Sequence, residues 1–181
     1  MRIIGGILGG RKVNPPSKMP HTRPTTDIAK EGLFNILENN LVIEGMKTLD
    51  MFGGTGSISY ELASRGATDI TIIEKDHTMY EFIKKTSEAF GLTQFKVIKT
   101  DVFRFLKHCT EQFDFIFAGP PYALINIDDI PKLVVERNLL KNNGWFVLEH
   151  TPRNHYEGYP LFVSQRNYGT TVFSIFVNKK T

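Results

Sequence analysis

Gly119-Pro120-Pro121-Tyr122 directly follows Phe113-Asp114-Phe115-Ile116-Phe117-Ala118, an apolar run with the length and residue content of a buried strand. The two prolines lack backbone donors and hold φ at about −65°, so the loop is stiff. A stiff loop at the carboxyl edge of a sheet stands where open α/β folds bind ligands. There the Pro120 carbonyl can accept a hydrogen bond from a substrate amine while Tyr122 stacks on a base. A loop that merely ends a strand has the same composition, so the upstream residues must decide.

Upstream, Asp50-Met51-Phe52-Gly53-Gly54-Thr55-Gly56 runs off one strand into a helix. Gly53, Gly54 and Gly56 allow a tight turn and the approach of a ligand with no Cβ in the way. Glu74-Lys75 ends the next strand, where the Glu74 carboxylate can accept both hydroxyls of a ribose. Asp101 follows the third strand and can accept from an adenine amino group, with the Val102 amide opposite. Each alone has a structural explanation: a strand-helix turn, a strand-end acid, a helix cap. Three at successive strand ends point to a nucleoside-bearing cofactor. A dinucleotide site wants glycine where Ser59 stands, and no Walker lysine pattern is present. S-adenosylmethionine fits better, because it needs a ribose acceptor and room for a methionine tail but no pyrophosphate clamp.

These residues need a scaffold, and the chain can build one. Its 181 residues, 41% hydrophobic, suffice for one core and one domain. The pattern gives a helix over 28–38 with Ile28, Ala29, Leu33, Ile36 and Leu37 inward, capped from Thr25-Thr26-Asp27. Strands then alternate with helices: strand 48–52, helix 57–65, strand 69–75, helix 77–90, strand 95–99, helix 101–106, and the strand before the proline pair. A helix through Leu133, Val134 and Arg137 and a strand over 145–149 follow, then strands 161–166 and 170–177 joined by Asn167-Tyr168-Gly169. The expected fold is α/β: a Rossmann-like, mostly parallel seven-stranded sheet ending in an antiparallel β-hairpin, with helices on both faces. Residues 1–40 read as a basic N-terminal extension with a helix, and 41–181 as the cofactor-binding unit.

Net charge is only +3, yet residues 1–25 carry Arg2, Arg11, Lys12, Lys18 and Arg23 with no acid, leaving the rest at −2. Such an arm suits phosphate binding; a solvated terminus is the plainer explanation. A single cysteine, Cys109, excludes an internal disulfide, suits a cytoplasmic location and reads as core on a helix. The histidines lack metal-ligand spacing, so no metal is expected, and no apolar stretch reaches the roughly 18 residues of a membrane span.

With these residues in place, the chain resembles the RsmD family of bacterial 16S rRNA guanine-N2 methyltransferases, class I enzymes dependent on S-adenosylmethionine. The resemblance rests on Arg2-Ile3-Ile4-Gly5-Gly6, Gly10-Arg11-Lys12, Arg23-Pro24-Thr25 with Asp27, Leu33-Phe34-Asn35-Ile36-Leu37, the 50–56 loop, Ser64-Arg65-Gly66-Ala67 and Pro120-Pro121-Tyr122. It implies that Asp50, Gly53, Gly54 and Gly56 hold the methionine end, that Glu74 binds ribose and that Asp101 and Val102 bind adenine. Phe52 and Lys75 fall within the same cofactor set. It implies a basic arm on RNA, with 16S rRNA or a small ribosomal subunit as partner, and a monomer is expected.

The departure is Gly119. Members of the family carry an acid or amide there, whose oxygen accepts a hydrogen from the target amine. A base amine is a poor nucleophile, because its lone pair is conjugated with the ring. Acceptors around it localise that pair and aim it at the methyl. With glycine only backbone carbonyls remain, and the loss of a preorganised polar group commonly costs on the order of 10²–10³ in rate. A slow enzyme, recruitment of another acceptor, or alteration at this one position all fit. An adenine-N6 DNA methyltransferase and a non-catalytic, cofactor-retaining RNA-binding module are the rival readings.

Overall fold

The computed structural model describes residues 1–19 and 24–180; Arg23, expected in the basic arm, lies outside the described residues. Seven strands form one sheet: β1 (Lys47–Asp50), β2 (Asp69–Ile73), β3 (Phe95–Ile98), β4 (Phe113–Ala118), β5 (Leu140–His150), β6 (Phe162–Tyr168) and β7 (Thr171–Val177). The order across the sheet is β3-β2-β1-β4-β5-β7-β6. The first five strands pair in parallel, and β7 runs antiparallel to both β5 and β6. Among the described residues five helices accompany them, α1 (Asp27–Asn40) ahead of β1 and the other four each between successive strands: α2 (Ser57–Ser64), α3 (His77–Ala89), α4 (Val102–His108) and α5 (Asp129–Glu136). This is the expected fold class.

Alternation along the strands feeds two cores. On one face Phe115 and Phe117 of β4 join Leu33 of α1, Leu62 of α2 and Ile83 of α3. On the other, Ile116 and Ala118 join Leu106 of α4 and Val134 of α5. A strand buried on both faces reads as a continuous apolar run, which is why β4 is legible in the sequence. Chain order reverses between β1 and β4, so the carboxyl edge opens a crevice there.

Three local expectations need correction. Ile28 is 76% exposed. The inward places of α1 go instead to Ala29, Lys30, Leu33, Phe34 and Leu37, because the buried Lys30 ammonium pairs with Glu61 at 3.3 Å and donates to the Arg2 carbonyl. The hairpin turn is Gly169-Thr170 rather than 167–169. Tyr168 stays in β6 because its ring packs on Gly32, where an added Cβ would lie 2.3 Å from it. β5 begins at Leu140, not Trp145, through a shift in register opposite Phe113 and Phe115 that brings Gly144 against the Phe113 carbonyl. Cys109 caps α4 from just beyond its end and is buried, consistent with a core residue.

The first 13 residues pack on the body, with Ile3, Leu8 and Val13 buried in the core on the α1–α3 face. The amides of Ile4 and Gly5 donate to the two Glu61 oxygens at 2.8 and 3.0 Å. Gly6, at φ +74, lies so close to α2 that an added Cβ would fall 2.0 Å from the Ser64 carbonyl. Gly5 and Gly6 therefore serve a close approach to α2.

Candidate active site

A cavity of about 520 Å³ opens at the carboxyl ends of β1 to β4. The glycine loop forms its floor. Gly53 donates to the Ile73 carbonyl at 2.8 Å and packs so tightly that an added Cβ would lie 2.6 Å from Ile72. Gly54, at φ +56, donates to Glu74 Oε1 at 2.8 Å, and open space lies where its Cβ would be. Gly56, at φ +84, starts α2, and a Cβ there would strike the Tyr60 ring. Gly56 is thus a packing and turn residue and does not line the cavity, whereas Phe52, Gly53 and Gly54 do.

Asp50 ends β1 and lines the cavity while 2% exposed. Its Oδ2 accepts from the Ser59 hydroxyl at 2.9 Å, and among the described residues its buried Oδ1 has no hydrogen-bond partner. Burial pushes its pKa up to about 7, against the opposing pull of the Ser59 hydroxyl and of the Phe52 amide, which lies outside good hydrogen-bond geometry. A buried carboxylate at a cavity wall, with an oxygen short of partners, is the complement of an ammonium ligand. Ser59, which stands where a dinucleotide fold has glycine, is the residue that orients it.

Glu74 stands opposite. Its second oxygen accepts from the Asp76 amide at 2.8 Å, so both oxygens are fixed yet retain lone pairs for a diol. Burial raises its pKa despite these donors. Lys75 also lines the cavity. Asp101 caps α4, its Oδ1 accepting from Phe103 and Arg104 at 2.9 and 3.2 Å. The Val102 amide is the first of α4, where no intrahelical acceptor exists. Asp101 and Val102 both line the cavity, one with a carboxylate and the other with an N–H. An ammonium acceptor, a diol acceptor and an amide-plus-carboxylate edge along one cavity fit S-adenosylmethionine.

Gly119, Pro120 and Pro121 close the far wall. Tyr122 does not line the cavity. Its hydroxyl donates to Glu149 Oε2 at 3.2 Å and lies 3.5 Å from the Thr171 hydroxyl. Pro24 and Thr25 complete the rim, whereas the local pattern gives Thr25 only a helix-capping role. Thr26 is the cap of α1, and Thr25 instead donates to Glu149 Oε1 at 2.5 Å. No motif singles out Glu149: it reads as the polar end of a strand, and only the register of β4 and β5 brings it beside position 119. Arg2, Arg11, Lys12 and Lys18 are exposed and outside the cavity, with the Arg11 guanidinium 5.1 Å over the Phe90 ring.

Residues 1–177 match the family described as Conserved hypothetical protein 95. The chain is similar to the ribosomal RNA small subunit methyltransferase D of Haemophilus influenzae, 35% identical over 82% of this chain and 78% of that protein. The Escherichia coli K12 protein of that description is 33% identical over 82% of this chain and 71% of its own. Among solved structures, a hypothetical protein of Thermus thermophilus superposes with a TM-score of 0.85 at 26% identity, covering 97% of this chain and 98% of that one. The Thermus thermophilus 16S rRNA N2 G1207 methyltransferase, solved with AdoMet and guanosine, shares the fold at a TM-score of 0.69. Its identity is 22%, over 88% of this chain and 45% of that one.

Proposed function

The chain belongs to the Conserved hypothetical protein 95 family and is a methyltransferase, and on that footing we propose that it methylates the exocyclic N2 amine of a guanine in small-subunit ribosomal RNA. The observation that carries this reading is one cavity shared by the cofactor-type residues and the Pro120-Pro121 loop. S-adenosylmethionine, when bound, supplies a methyl group made electrophilic by a positively charged sulfur. Asp50 would hold its ammonium, Glu74 its ribose, and Asp101 with the Val102 amide its adenine edge. The Pro120 carbonyl accepts a hydrogen from the target amine and orients its lone pair. No side chain of the site is required as a nucleophile.

The target base must leave its stack for its amine to reach a methyl group held in this cavity. Exposed Arg2, Arg11, Lys12 and Lys18 would hold the phosphates around it, giving affinity with little sequence preference. Gly119 favours one competing reading, a module that binds cofactor and RNA without turnover. Labelled methyl transfer to small subunits lacking their native base methylations tests both. Label in rRNA at guanine N2 supports the proposal. Label only in adenine, or only in DNA, replaces its substrate, and cofactor binding without any transfer supports the binding module.

A further inference from the structure

We propose that the Thr25 hydroxyl, its proton held by Glu149, is the acceptor that stands in for the side chain missing at position 119. The inference rests on the methyltransferase reading above. β4 and β5 pair in parallel with Ala118 opposite Leu148, so Glu149 is the register neighbour of Gly119. A Cβ built on Gly119 would lie 3.8 Å from Glu149 Oε1 and 3.0 Å from the Phe117 ring. The same Oε1 accepts from the Thr25 hydroxyl at 2.5 Å. One carboxylate oxygen therefore links the empty side-chain position to a hydroxyl on the cavity rim.

Geometry then assigns the roles. Glu149 is 3% exposed and does not line the cavity; Thr25 and Gly119 do. A hydroxyl that donates to a carboxylate turns its lone pairs elsewhere, and the charge-assisted bond makes its oxygen a better acceptor. Thr25 is thus the residue that touches the amine, and Glu149 is a positioning residue. Tyr122, donating to the other Glu149 oxygen, fixes the carboxylate from the proline loop. During transfer the amine nitrogen bonds the methyl carbon as the carbon–sulfur electron pair returns to sulfur. One amine proton passes to Thr25 Oγ1 while the Thr25 proton passes to Glu149 Oε1.

The test compares wild type, Thr25→Val, Thr25→Ser and Glu149→Gln on undermethylated small subunits, with S-adenosylmethionine affinity and Tm measured alongside. Thr25→Val is expected to lower kcat about 10²-fold, with KM and cofactor affinity nearly unchanged. Thr25→Ser, which keeps the oxygen, is expected to retain activity. Glu149→Gln is expected to lower kcat too, since it leaves the hydroxyl without a charged partner. Gly119→Asp in the Thr25→Val background, which supplies a side-chain acceptor at position 119 directly, is expected to restore part of the lost kcat. An active wild type whose kcat survives Thr25→Val overturns this inference alone. A wild type silent on every RNA overturns it together with the methyltransferase reading.

Discussion

The Glu74 carboxylate accepts the Gly54 amide at 2.8 Å, locking the end of β2 to the loop that leaves β1. Its other oxygen takes the Asp76 amide, so two backbone donors from different elements converge on one side chain. Glutamine cannot satisfy both, because its NH2 would face one of the two N–H groups. Glu74→Gln should weaken S-adenosylmethionine binding at least tenfold and lower stability by about 1–3 kcal/mol. Calorimetric titration and urea unfolding check the two effects, and unchanged affinity would remove Glu74 from the cofactor site.

Asp50 ties cofactor binding to pH. Burial raises its pKa to about 7, so the folded protein holds a proton that the unfolded chain releases near the ordinary carboxylate value. Its favourable contribution is therefore complete at low pH and lost as pH rises through about 7. A cationic ligand favours the ionised form, so cofactor affinity should run the opposite way and fall below about pH 7. The cofactor should accordingly raise Tm more at about pH 8 than at about pH 5.5. Asp50→Asn should raise the Tm of the ligand-free protein at about pH 8 while weakening cofactor binding. A parallel loss of both would contradict the orphaned-oxygen account.

Much of the site is legible because its chemistry sits in contiguous motifs at strand ends. Gly53, Gly54, Glu74, Asp101 and Pro120 all line the cavity where the βα rhythm puts them. What the sequence conceals depends on long-range register. Glu149 meets Gly119 and Thr25 across separations that no local pattern encodes. Lys30 reads as a solvated helix residue, since its partners Glu61 and the Arg2 carbonyl lie on other segments. Tyr122 carries its hydroxyl toward Glu149 for the same reason.

RNA affinity should be steeply salt-dependent if the arm contacts phosphates. Arg11 and Lys12 are exposed on a segment that the Glu61 contacts fix in place. Replacing both with alanine should lower the magnitude of the slope of log K against log salt by about 2. S-adenosylmethionine affinity should stay the same, because neither residue lines the cavity. A slope equal to wild type would place the RNA path elsewhere on the surface.

Glu61 decides whether the arm stays docked. Its side chain is fully buried, pairs with Lys30 and Arg65 at 3.3 and 3.0 Å, and accepts the Ile4 and Gly5 amides. Glu61→Ala would strand the buried Lys30 ammonium and two amides, at a cost of about 3–5 kcal/mol. Burial alone would raise the Glu61 pKa, but the two amides and the cations outweigh it and hold the pKa below the usual value. The clamp's contribution is therefore present above the ordinary carboxylate pKa and lost as pH falls through the depressed one. Amide exchange should show Ile4 and Gly5 losing protection on acidification before the core of β4 does. Glu61→Ala should remove that protection at neutral pH, and retained protection in this variant would mean that packing of Ile3, Leu8 and Val13 holds the arm by itself.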